Sequence, residues 1–479
     1  MDSIIEQIYE NSVRLPGKTA LTGQGQSVTY QELWNRAEAF AGELKKTARI
    51  RKGSRILLEE GEDLIGSVVA YLGIQLAEAV AVPVEYRISE SSLGYVVERV
   101  KPLLVLSRDK ITELLQASRE SVGKGTKKRT FPGADQDSDI IFTTGTTGQP
   151  ECILHTFGSM KATVENLIDL ADMEEGDKYL LTAPFNLAFG LRRLLTSLYL
   201  GATAVLMKSL FPLNEFYGAI LQHRITYLVL IPSQLSVLLR GDREKLDVCI
   251  RQMRAVQVGS NAMVERDREE FLKRYPDTSL YYIYGSTETG CILGYDCHSR
   301  QKGTGCLGIP AKNAAVFLID EKGEKVESPE TYGFIAARGA MNMKGYYRKK
   351  ALTEAMLRDG MALSRDIGYF DGEGYFYFVS RVGDVINVGT HKVIPQEIEN
   401  AALEIPGVRE CVCTAQKDAR FGQVPKLVVV LDNEYSCSIQ DILIHLSEKL
   451  ESYKVPQSIE VAEEIPKTIQ GKVLRRRLR

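Results

Sequence analysis

Over the first 380 residues, short apolar runs rich in β-branched residues alternate with amphipathic stretches, which is the pattern of an α/β chain. Runs beginning at Ser54, Ala79, Leu103, Asp139, Lys178, Ala202, Tyr227, Ala255 and Leu280 predict buried strands. Between them, segments such as Tyr30 to Lys46 carry apolar residues at helical spacing. The most membrane-like stretch, Ile65 to Val84, is interrupted by Gln75 and Glu78 and closed by Pro83, so it predicts a helix and a strand and no membrane span. Ser121 to Lys128, rich in Gly and Lys, predicts an exposed loop.

From about Tyr332 the texture changes to short strands with Gly turns, ending near Arg381. A compact unit follows, with helices predicted from Pro395 and Ser438 and strands from Glu410 and Lys426. These patterns predict a large N-terminal domain over 1–382 and a small α+β C-terminal domain over 383–479. No internal repeat or low-complexity tract interrupts either part.

Composition narrows the function. The 60 Lys and Arg against 62 Asp and Glu give a net charge of −2, so the basic excess expected of a nucleic-acid binder is missing. Eight scattered cysteines form no zinc-like spacing, and reduced thiols in the cytoplasm fit them best. Cys411 and Cys413 predict buried positions on one face of a strand. The N-terminus, acidic at Asp2 and without a long apolar core, does not read as a signal peptide.

Three segments carry candidate chemistry. After a buried strand, Thr143-Thr144-Gly145-Thr146-Thr147-Gly148 offers backbone amides and hydroxyls suited to a polyphosphate, without the Walker order. Taken alone it equally describes a Gly/Thr turn. Tyr284-Gly285-Ser286-Thr287-Glu288 groups an aromatic face, hydroxyls and a carboxylate of the kind that Mg²⁺ prefers. The third is Pro466-Lys467 to Gly471-Lys472, where a lysine follows a glycine turn near the C-terminus.

In this order and spacing the segments resemble the adenylate-forming superfamily: acyl-CoA and aryl-CoA synthetases, adenylation domains of nonribosomal peptide synthetases, and luciferases. The resemblance covers essentially the whole chain. It implies that Thr143 to Gly148 hold the phosphates of ATP, that Glu288 holds Mg²⁺ beside Thr287, and that Lys472 is the catalytic lysine. It further implies that Tyr284 stacks on adenine with Gly285 beside it, Gly259 and Ser260 line the opposite side, and Asp366 and Arg381 take the ribose. Gly383 is then the hinge, and Phe185, Asn186, Leu187, Phe189 and Gly190 form the acid pocket.

The implied activity is ATP-dependent conversion of a small carboxylic acid to acyl-AMP, followed by transfer to the thiol of CoA or of the phosphopantetheine arm on an acyl or peptidyl carrier protein. Without an aspartate between Pro184 and Leu191 the acid is expected to be apolar or aromatic rather than an α-amino acid. An amine acceptor, giving an amide, and a degenerate nucleotide-binding or acyl-binding scaffold are the alternatives. The scaffold draws on departures from the family pattern: Glu151 stands where the family carries lysine, Cys152 replaces a glycine, and Ser364-Arg365 precedes Asp366. Arg192-Arg193 predicts a solvated helix face, with a second substrate carboxylate as its other reading. Arg475 to Arg479 would meet the phosphates of CoA or an acidic carrier surface.

Overall fold

The computed structural model describes residues 3–119, 130–143, 150–299, 302–432, 437–467 and 473–478. The predicted loop at Ser121 to Lys128 lies outside them, as do Thr144, Gly145, Thr146, Thr147, Gly148 and Lys472.

Two sheets build the N-terminal body. The larger has at its centre five parallel strands, Thr203–Leu206, Lys178–Leu181, Tyr227–Leu230, Ala255–Gly259 and Ser279–Ser286, in that spatial order. Strands Thr203–Leu206, Tyr227–Leu230 and Ala255–Gly259 are buried throughout, which explains their unbroken apolar sequence. Antiparallel strands extend this sheet from Gly290–Asp296 to Phe376–Arg381 and Met361–Phe370. The second sheet contains Arg55–Glu59, Val80–Val84, Asp137–Thr143 and Glu151–Thr156.

Helix Leu64–Leu76 packs against strands of both sheets. It is buried at every residue from Leu64 to Gln75, the expected consequence of a helix that is apolar all round. Its three polar side chains are satisfied internally: the Ser67 hydroxyl donates to the Asp63 carbonyl at 2.8 Å, and the Tyr71 hydroxyl and the Gln75 amide both donate to Asp139, at 2.7 and 3.2 Å. The segment read as helix then strand is therefore core, and among the described residues no helix is long and apolar enough to cross a membrane.

Beyond Arg381 a third sheet forms around Val408–Asp418 and Gly422–Leu431. Helices Pro395–Leu403 and Ile439–Lys449 cover a separate core that includes Ile386, Ile398, Leu427 and Leu446. Cys413 is buried there and Cys411 is half-buried. Arg475 is drawn inward, donating to both oxygens of Glu399 and to the Cys413 carbonyl, so this member of the terminal arginine run is spent within the domain. Arg477 is exposed.

Candidate active site

Local backbone chemistry shapes the turn after strand Ser279–Ser286. A Cβ on Gly285 would sit 2.0 Å from the Gly290 carbonyl oxygen, so only glycine lets the chain double back here. The Ser286 hydroxyl accepts from the amides of Glu288 and Thr289 at 3.1 and 3.0 Å, closing the turn. Arg192 then clamps it, donating to the carbonyls of Ser286 and Thr287 at 2.8 and 2.9 Å. Thr287 and Glu288 are thus presented on a rigid turn. The Glu288 carboxylate accepts from the Tyr346 hydroxyl at 3.1 Å, and the residue is half-buried.

Asp366 and Arg381 face each other across adjacent antiparallel strands. Arg381 Nε lies 2.7 Å from Asp366 Oδ1, and the Tyr284 hydroxyl donates to Oδ2 at 2.8 Å. The Asp366 carboxylate is the main reason that Arg381 holds its proton more tightly than a free arginine. Burial, reinforced by Asp366, pushes the Tyr284 hydroxyl well above the usual tyrosine range. Together these groups form a closed, preorganised cluster.

A cleft of about 530 Å³ joins the two features, lined by Thr143, Ser260, Gly285, Thr287, Glu288, Asp366 and Arg381. Lys467 of the C-terminal unit also reaches it, its ammonium 2.5 Å from Glu410. Lys467 and Val473, which flank Lys472 in sequence, pair as a β-bridge. Tyr284, expected to stack on adenine, is half-buried between lining residues and turns its hydroxyl to Asp366, which lines the cleft. Gly259 lies beneath Phe189 and Arg193: a Cβ there would meet both at 3.5 Å.

The expected acid pocket divides. Phe189 lines the cleft, whereas Phe185, Asn186 and Gly190 line a second cavity of about 610 Å³, and Leu187 borders both. The second cavity contains Glu60, only 6 % exposed, whose Oε2 has no hydrogen-bond partner among the described residues. Burial raises the Glu60 carboxyl to about 7, opposed by the Phe185 amide and by Lys208.

Two sequence expectations are corrected. Arg192 and Arg193 do not form a solvated face: each is 3 % exposed, on helix Ala188–Leu200. Glu151 does not place a bare anion near the phosphates, because Lys349 pairs with it at 2.7 Å. Arg193 Nε donates to the Gln257 side chain, and neither this partnership nor the Glu151–Lys349 pair has a local signature, since Gln257 and Lys349 are brought in from strands and turns far along the chain.

The chain belongs to the AMP-binding enzyme family, whose description matches residues 8–347, with the AMP-binding enzyme C-terminal domain matching 397–472. This places it in the adenylate-forming superfamily, and its large α/β body with a smaller C-terminal part is the fold of that group. It is 28% identical to a feruloyl-CoA synthase from Amycolatopsis over 97% of this chain and 96% of that one. It is 26% identical to a 2-succinylbenzoate–CoA ligase from Bacillus velezensis, over 97% and 95%. The ATP-bound crystal structure of MatB from Rhodopseudomonas palustris superposes with a TM-score of 0.90 at 22% identity, covering 100% and 98%.

Proposed function

We propose that the protein activates an apolar or aromatic carboxylic acid with ATP as an acyl-adenylate, releases pyrophosphate, and transfers the acyl group to the thiol of CoA. The observation that carries this reading is the joining of the Asp366–Arg381 pair and the Thr287–Glu288 turn in one cleft that Lys467 also reaches. The CoA ligases among the relatives support the acceptor. A carrier-bound phosphopantetheine presents the same thiol chemistry.

Asp366 already accepts from Arg381 and Tyr284, and a carboxylate has about four lone-pair sites, so capacity remains for a ribose hydroxyl. Glu288 suits Mg²⁺: its carboxylate is held by a single hydroxyl, and among the described residues no group of three metal-binding side chains competes. The ion would be shared with phosphate oxygens, as Mg²⁺ prefers, and when bound it neutralises their charge. The protein supplies the rest by position. Arg192 fixes the turn, Thr143 lines the wall, and Lys472 acts as a mobile charge on the acid and α-phosphate.

A thiol must later reach the carbonyl that Lys472 has served. Reorientation of residues 383–479 about Gly383, against the body 1–382, meets that need. The eight unpaired cysteines suit a reducing, cytoplasmic setting. The scaffold reading loses its main support, because Lys349 neutralises Glu151.

Acid-dependent exchange of labelled pyrophosphate into ATP over a panel of acids tests the reading. Lys472→Ala should lower it by about 10²- to 10³-fold, the usual effect of removing one preorganised charge from a developing oxyanion. Wild-type exchange in that variant would remove Lys472 from the chemistry.

A further inference from the structure

Charged groups lining the cleft are paired within the protein in several places: Asp366 with Arg381, Glu151 with Lys349, and Lys467 with Glu410. Glu288 is held by Tyr346. Arg193 and its neighbour Arg192 also line the cleft, and neither has a carboxylate partner among the described residues. Arg193 Nε donates to the Gln257 side-chain carbonyl at 3.0 Å and its Nη1 to the Phe189 backbone carbonyl at 3.3 Å. The guanidinium lies 3.9 Å from the centre of the Phe189 ring, four residues back on the same helix. The Cys291 side chain is a further hydrogen-bonding neighbour; the other partners are neutral, and no carboxylate among the described residues pairs with Arg193.

Such an arrangement is costly. A buried cation without a carboxylate partner recovers little of its lost hydration. Burial lowers the proton affinity of Arg193, to about 10, yet leaves it charged at neutral pH. The side chain is also held in place: Gln257 fixes Nε, and the stack on Phe189 fixes the plane. Its Nη2 lies over the backbone of Gly259, where a Cβ would come within 3.5 Å. A fixed, planar guanidinium lining a ligand cleft is suited to a carboxylate.

The neighbouring Arg192 shows what a structural arginine looks like here. It spends both terminal nitrogens on two main-chain carbonyls and holds a turn. Arg193 spends one terminal nitrogen on its own helix and none on a distant backbone carbonyl.

We propose that Arg193 reads a second anionic group on the substrate, so that the acid activated is a dicarboxylic acid whose distal carboxylate docks on Arg193 while the other carboxylate reacts. This rests on the adenylation reading above and changes its substrate class, from an apolar or aromatic acid to one whose apolar or aromatic part carries a second carboxylate. The distal group supplies the charge that the fold withholds, and Phe189 offers an apolar surface for the chain or ring between the two carboxylates.

The test compares diacids with their own monomethyl esters, which keep one reactive carboxylate and lose the second charge. Probes are glutaric, adipic and suberic acids, homophthalic acid and 3-(4-carboxyphenyl)propanoic acid. Pyrophosphate exchange gives kcat/KM, and calorimetric titration without ATP gives binding. At least one diacid should exceed its ester by about 10- to 100-fold in the wild type, the range for hydrogen bonds to a charged group. Arg193→Gln should bring that ratio close to one by raising KM for the diacid, and Arg193→Lys should fall between.

Esters accepted as well as diacids in every pair would overturn the proposal without need of a variant. So would an equal loss for diacid and ester in Arg193→Gln, which would assign Arg193 to the reacting carboxylate or to the fold. Exchange with monoacids alone keeps the adenylation reading and rejects the diacid. Diacid binding that depends on Arg193, with no exchange for any acid, does the reverse.

Discussion

Asp366 and Arg193 border the same cleft, and the fold treats their charges differently. Asp366, only 4 % exposed, receives a guanidinium from the adjacent strand and a tyrosine hydroxyl, so its orientation is settled before any ligand arrives. Arg193 is buried to the same degree and receives an amide, a carbonyl and an aromatic face. A charge completed within the protein serves a neutral ligand group such as a ribose diol, because it can accept hydrogen bonds without reorganising. A charge left incomplete is tuned to a ligand of opposite sign. The nucleotide end can therefore be common to a family while the acid end differs between members.

The largest expected effect comes from breaking the completed end. Asp366→Asn leaves Arg381 facing a neutral amide. Removing one partner of a buried pair costs about 3 kcal/mol, the low end of the usual range because 32% of the Arg381 side chain stays exposed. That cost appears as a lower melting temperature; the ribose separately loses a hydrogen bond to a charged acceptor, worth about 1.5–3 kcal/mol, so ATP affinity measured by titration should fall by about 10- to 100-fold. Unchanged affinity would mean that the pair serves the fold alone.

Next in size is the backbone two residues beyond Arg381. Gly383 has φ of +91°, with nothing within 4 Å of where a Cβ would be, so conformation rather than crowding requires the glycine. Proline fixes φ near −65°. Sequence reasoning would spare adenylation in Gly383→Pro, on the argument that one arrangement suffices for it. The arrangement in which Lys467 reaches the cleft has the opposite sign of φ, which the proline ring cannot adopt, so single-turnover acyl-adenylate formation should fall by about tenfold or more. Gly383→Ala should show a smaller loss in the same step. Wild-type adenylation in both variants would detach this arrangement from the first half-reaction.

How legible the molecule was in its sequence follows the same division. The central strands were readable because each is a short apolar run buried on both faces, and Leu64–Leu76 because its polar interruptions mark where a helix must give way. The hairpin Thr19–Gly23 with Gln26–Thr29 was missed: its second strand is half exposed and carries few apolar residues. Strand Gly290–Asp296 was missed because two glycines dilute its pattern. At the site, the Asp366–Arg381 pair could be named from motifs but not its closure by Tyr284, which depends on the spatial neighbourhood of two sheet strands. Arg192-Arg193 looked solvated because a charge pair at consecutive positions carries no sign of what another strand will bring to it. The acid segment was read as one wall, whereas successive residues at the start of a helix point to different sides and so divide between two cavities.

A smaller effect separates Glu151 from the phosphates. Glu151→Lys would set two ammonium groups together, and with 31% of the Lys349 side chain exposed the repulsion costs less than about 1 kcal/mol. Mg-ATP affinity should stay within about twofold of wild type rather than tighten. Lys349→Ala, by contrast, leaves Glu151 unneutralised and should weaken binding several-fold, an effect that diminishes as salt is raised. Tightening in Glu151→Lys would mean that the pair opens when nucleotide binds.

The smallest effect sharpens the contrast with Arg193. Glu60 is another buried ionisable group, in the cavity beside the cleft and with Oε2 unpartnered among the described residues, but a carboxyl can escape the cost of burial by keeping its proton. An arginine cannot do so near neutral pH. In the unfolded chain Glu60 loses its proton near 4.5, whereas in the fold it holds it to about 7. The folded state therefore binds the extra proton between those values, and stability falls as pH rises through that window. Glu60→Gln keeps an oxygen to accept from the Phe185 amide and cannot ionise, so the fall should disappear. Melting temperatures at pH 5 and pH 8 would show the variant near wild type at the lower value and one to about three degrees above it at the higher, modest because the chain is long. An equal difference at both pH values would mean that Glu60 ionises as a solvated carboxylate does, and that the second cavity carries a negative charge at neutral pH.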